Sequence, residues 1–131
     1  MLYCLEKKGR PRFMFKEKNF LMNTCDVPGR AEVVIYAGAG VRRIDVFGKA
    51  VNVTDGFKGG GGMVEMSVAA GQTEMVFKHR PDMKPVNMPS TDIRDIVHRL
   101  DVAGVTINDI LALIGEIDKS RSLSARVVWL E

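Results

Sequence analysis

Rings are scarce in this chain: six Phe, two Tyr and one Trp, set against thirteen glycines in 131 residues. That balance predicts a lean core and tight turns. Long apolar runs are missing as well. Nothing approaches the 18 or more consecutive apolar residues that a membrane-spanning helix needs. Histidines number two, His79 and His98, and neither has a second His or Cys at ligand spacing. A zinc site would therefore need distant partners, and His98 reads as a solvated residue on an exposed helix side. The two cysteines, Cys4 and Cys25, form no Cys-x-x-Cys pair and have no histidine nearby. One disulfide is open to them in an oxidising compartment, but their spacing does not require it. Free, partly buried thiols are the favoured reading.

The opening stretch, MLYCLEKKGRPRFMFKEKNFLM, lacks the uninterrupted apolar core of about 7–15 residues that a secretory signal carries. This leaves a cytosolic protein, a chain without its export signal, or a piece of something longer as the expectation.

What is present is ordinary for a globular domain: 46% hydrophobic and 27% charged residues. A chain of this length reads as one domain, burying roughly 65–70% of its extended-chain surface. The net charge of +3 is uneven. Residues 1–30 carry seven Lys/Arg against three Asp/Glu, so the remainder is slightly acidic. The basic balance belongs to the leader, which weakens a chain-wide nucleic-acid reading.

Three segments follow from patterning. Residues 1–28 form a basic leader ending at Pro28, and residues 29–131 form a single α+β domain. Within it, 29–80 is β-rich, 81–89 is a connector, and 90–131 is helix–turn–helix–strand. Period-two alternation marks strands at Ala31–Tyr36, at Ile44 and Val46, at Val51 and Val53, through MVEMSV, and in EMVFK. Pro81, Pro85 and Pro89 exclude a helix or central strand from the connector and predict an extended strap. Ile93, Ile96, Val97 and Leu100 then follow helical spacing, with Ser90 or Thr91 as cap. Gly104 stands where a left-handed stop belongs. Thr106 caps a second helix with Asp109 three residues on, and Ile107, Ile110, Leu111, Ile114 and Ile117 form its apolar stripe. ARVVWL is a last strand that pairs back on the sheet. Antiparallel-type strands followed by a two-helix corner and a closing strand make the class α+β.

Four motifs bear on chemistry. In YAGAGVRR, Arg43 occupies the place of the third glycine of a dinucleotide fingerprint, so a turn between strands is the better reading. Gly48-Lys49 lacks both the earlier glycine and the following Ser/Thr of a phosphate loop. FKGGGGM, with Lys58 beside Gly59–Gly62, offers amides for an anion, but such a tract reads first as a flexible loop. In the leader, Arg10, Arg12, Lys16 and Lys18 interleave with Phe13, Phe15 and Phe20, as single-strand binders do. A solvated arm whose rings pack on the domain is the stronger reading. Asp92, Asp95, Asp101 and Asp109 are accounted for by caps and exposed helix faces. No catalytic, cofactor or metal residue is assigned.

The terminal segment IRDIVHRLDVAGVTINDILALIGEIDKSRSLSARVVWLE resembles the end of the bacterial flagellar P-ring protein family. Asp95, Val97, Leu100, Gly104, Val105, Thr106, Asp109, Leu123 and Ala125 fall on that family's matching positions. Asp101 stands for its usual Asn, Ile107 for Pro, and Ser120-Arg121-Ser122 for Ala-Gly-Ala. AEVVI, IDVFGKAVNV and MVEMSV are similar further upstream. The likeness spans residues 30–131, strongest over 90–131, and the family's signal peptide and large N-terminal part have no counterpart.

The resemblance implies a non-catalytic structural subunit of the basal body, in the periplasm and close to peptidoglycan. Its partners would be further copies or other envelope and flagellar subunits, with no small-molecule substrate and no cofactor. Ring assembly implies heterologous interfaces, for which the β edges of 29–80 and the outer helix faces are the expected surfaces. Without the resemblance, the reading is a cytoplasmic nucleic-acid-binding or regulatory module that uses the leader.

Overall fold

The computed structural model describes residues 4, 10–16, 20–38 and 42–130. The strands are β1 (Arg10–Lys16), β2 (Phe20–Asp26), β3 (Glu32–Tyr36), β4 (Arg42–Phe47), β5 (Lys58–Gly61), β6 (Val64–Ala69), β7 (Gln72–Phe77), β8 (Val86–Met88) and β9 (Arg126–Leu130). The helices are α1 (Ile93–Val102) and α2 (Ile107–Lys119). The class is α+β. No helix among the described residues is long and apolar enough to cross a membrane.

The chain divides into two compact units, Met1–Val51 with Ser124–Glu131, and Asn52–Leu123. The boundary expected at residue 28, with 29–131 as one domain, does not coincide with this division. The reason is strand pairing over long separations. In the first unit the sheet order is β1-β2-β4-β3-β9. There β2 lies parallel to β4 and β9 lies parallel to β3, whereas β1–β2 and β3–β4 are antiparallel. The leader's β1 and β2 are thus members of a sheet, and the final strand returns to β3. Side chains of the interleaved cations and rings in that leader lie outside the described residues, as does Gly40 of the expected glycine turn.

Cys4 and Cys25 form a disulfide, which corrects the expectation of free thiols. Both are buried in a cluster with Val27, Val34 and Phe47, against which Tyr36 and Val128 pack. Burial brings the two thiols together where sequence spacing gave no reason to pair them.

The second unit holds an antiparallel sheet, β5-β6-β7-β8, and both helices. In β6 and β7 burial alternates residue by residue, the pattern of strands covered on one face only. Val64, Met66, Val68, Met75 and Phe77 are buried, as are Ile93, Ile96, Val97 and Leu100 of α1 and Ile107, Ile110, Leu113, Ile114 and Ile117 of α2. Leu113 holds the core place, with the expected Leu111 half-buried. The segment around Val51 and Val53 is not a strand. Asn52 and Val53 make only isolated bridges, to Asp92 and Leu123.

The helix corner is built as its residue types require. Asp92, not Ser90 or Thr91, is the N-cap of α1, accepting from the Arg94 amide. The Ser90 hydroxyl accepts from the Asp92 amide and donates to the Asp95 carboxylate. After α1, Gly104 adopts φ +84, a conformation that L side chains rarely take. Its amide and that of Val105 donate to the Asp101 and Leu100 carbonyls, closing the helix end. Thr106 then caps α2, accepting from the Asp109 amide at 3.4 Å.

Candidate functional site: the open face of the second sheet

One face of the β5–β8 sheet carries exposed side chains, as the alternating burial along β6 and β7 shows. Three residues stand abreast across it, Lys58 on β5, Ser67 on β6 and Glu74 on β7, with Asn87 of β8 beyond them. The next row holds Gly60, Glu65 and Val76. Lys58, Glu65, Glu74 and Lys78 are exposed, and Val76 is 39% exposed, one of four large hydrophobics so open among the described residues. The Lys78 ammonium lies 3.1 Å from Glu65. These side chains border a shallow concavity of about 500 Å³ whose floor includes Gly60 and Ser67.

The glycine tract is a strand rather than the expected loop. Gly61 is buried, and a Cβ there would stand 2.7 Å from the Leu113 amide nitrogen and 2.8 Å from the Asp109 carbonyl oxygen. Gly62, at φ +56, has no room for a Cβ beside the Asp109 carboxylate. Glycine is required here because α2 lies directly on the strand backbone. That packing is on the face opposite Lys58 and Gly60, over the row of Gly61 and the buried Val64. At the β8 edge the strand has three residues and runs between Pro85 and Pro89, which cannot donate to a further ladder. Lys58 lies on the rim of the exposed face, where it borders the concavity with Gly59, Gly60 and Gly62.

The histidines fall apart from it. His79 lies at the end of β7, its Nε2 3.2 Å from the Ala103 carbonyl oxygen and its ring edge-on to Phe77. His98 is exposed on α1. Among the described residues no three His, Cys, Asp or Glu side chains converge as a metal site would need.

Two polar arrangements escaped sequence reasoning. Arg94 is 1% exposed and is held by Asp92, with Nε to Oδ1 at 2.9 Å and Nη2 to Oδ2 at 2.5 Å. Such burial is legible only once the N-cap is known, since the same carboxylate serves the helix amide and the guanidinium. In the first unit, Asp45 is 3% exposed. Burial raises its pKa from the ordinary 3.8, while the Asn23 amide and the Arg43 guanidinium work the other way. Asn23 Nδ2 donates to Oδ1 at 2.9 Å, and Arg43 Nε donates to Oδ2 at 3.1 Å while stacking over Tyr36. Strand alternation misses this, because Asp45 is a polar residue on a covered row.

Comparison of the chain with protein-family models, with curated proteins and with solved structures finds no match in any of the three.

Proposed function

We propose that this chain is a non-catalytic structural subunit that acts by packing against other subunits, resembling the C-terminal part of the flagellar P-ring protein. The observation that carries the reading is the corner between α1 and α2. Gly104 in its left-handed turn and Thr106 on the α2 amide are among the positions on which the resemblance rests. The first acts through its backbone and the second through a capping hydroxyl, and each serves shape. The tract Gly61–Gly62 adds to this, since direct helix-on-strand contact makes a stiff platform. The broad face of alternating charge on that platform suits contact with another protein surface.

The Cys4–Cys25 disulfide supports an oxidising compartment, and with the resemblance that compartment is the periplasm, near peptidoglycan. Self-association and contacts with other envelope or flagellar subunits are the partners this reading names.

The test is location. A tagged chain expressed from its native locus in its host is followed through isolation of basal bodies. Recovery of the tag with the ring-and-rod fraction is expected. A tag found only in the cytosol, with rings intact in cells lacking the gene, contradicts the reading.

A further inference from the structure

The open face of the β5–β8 sheet is antisymmetric about β6. Strands lie about 4.8 Å apart, so Lys58 and Glu74 flank Ser67 at roughly 5 Å on either side. Gly60 and Val76 flank Glu65 in the same way. Each feature left of β6 therefore has its complement on the right: cation against anion, and a residue without a side chain against an exposed apolar one.

From this geometry we infer that the face is a homodimerisation surface whose occupant is a second copy of this chain. A two-fold axis lying in the plane of the face and running along β6 reverses the order of each row. Lys58 then meets Glu74 of the second copy, and Glu74 meets its Lys58. Val76 enters the concavity over Gly60 of the second copy, beside the Glu65 side chain, whose Cγ lies 3.3 Å from where a Gly60 Cβ would stand. Symmetry makes each contact twice. Only the residues of β6 meet themselves: Ser67 and Ala69, which are neutral, and Glu65, which already carries its own Lys78 at 3.1 Å. Aligned face-to-face packing is the ordinary way two sheets meet.

Charge complementarity selects the second copy over an unrelated occupant. A uniformly charged partner such as a nucleic acid would gain one pair of contacts and lose the other. The size sets the strength. The three strands that meet, β5, β6 and β7, have four, six and six residues and span roughly 15 by 20 Å, well under half of the ~800 Å² per partner of a standard interface. The dimer is accordingly weak and reversible. This inference goes beyond the reading of the chain as an assembly subunit: the two-fold contact is isologous and separate from the heterologous contacts that ring closure would use.

The experiment is sedimentation equilibrium of the oxidised full-length chain up to about 1 mM, where weak association becomes measurable. Wild type is compared with K58E, E74K, the double swap K58E/E74K, and V76D. All three sites are exposed, and thermal melts verify that each variant is folded. Each single charge swap is expected to weaken association about tenfold or more, because like charges then face each other twice. The double swap is expected to restore it to within about threefold, and V76D to abolish it. A wild-type chain that stays monomeric throughout, or one whose association ignores the swaps, overturns the inference. If either occurs while the chain is still found in basal bodies, this face alone is wrong and the assembly reading stands.

Discussion

Gly61 and Leu113 touch backbone to backbone: a Cβ on the glycine would stand 2.7 Å from the Leu113 amide nitrogen. A helix backbone in register with its own hydrogen bonds cannot shift locally, so added volume must push α2 away as a body. Gly61→Ala is predicted to lower stability by about 1–3 kcal/mol in urea unfolding. Gly59→Ala is predicted to cost less, because its Cβ would meet a side chain, the Phe57 ring at 2.9 Å, rather than the helix backbone.

The buried Arg94–Asp92 pair makes a second prediction. Truncating the guanidinium leaves a partly buried carboxylate without its main counter-charge. Arg94→Ala is expected to cost about 3–5 kcal/mol. Arg94→Met, which keeps much of the volume, should cost measurably less if packing supplies part of the effect. Chemical denaturation of the two variants side by side checks this.

Reduction should weaken the first unit. The disulfide joins residues 21 positions apart, and loop-closure entropy over that length is worth about 3 kcal/mol. A paired Cys4→Ala/Cys25→Ala variant is expected to unfold at lower urea by that margin and to become insensitive to reductant. Equal midpoints for wild type with and without reductant would contradict it.

Asp45 predicts a pH dependence with a definite sign. Its folded pKa is raised by burial above the unfolded value, which lies near 3.8. Between those two values the native state holds more protons than the unfolded state, so stability falls as pH rises through that window. Above the raised value the loss is complete and the curve is flat in this residue. Asp45→Asn is predicted to remove the slope, read as the urea midpoint across a pH series.

The sequence carried the local features well and the long-range ones poorly. Period two located β3, β4, β6 and β7, and helical spacing located α1 and α2 with Gly104 and Thr106 in their places, because each signal lies within a few residues. The parallel pairing of β9 with β3 joins Glu32 to Arg126, and no local pattern encodes such a partner. The same limit hid the Cys4–Cys25 bond and the membership of β1 and β2 in a sheet. The strand β5 was hidden for another reason. KGGG has no side chains to alternate, and its role depends on how close α2 comes. Of the candidate face, Lys58 and the glycines stand out in the sequence. Their placement opposite Glu74 and Val76 needed the register.

Native mass spectrometry of the chain extracted gently from the envelopes of its own host tests the central claim most directly. The account predicts that the chain is found in a multi-copy or multi-subunit assembly many times its own 14.5 kDa. A free 14.5 kDa monomer as the sole species, from cells whose rings are otherwise complete, would contradict it.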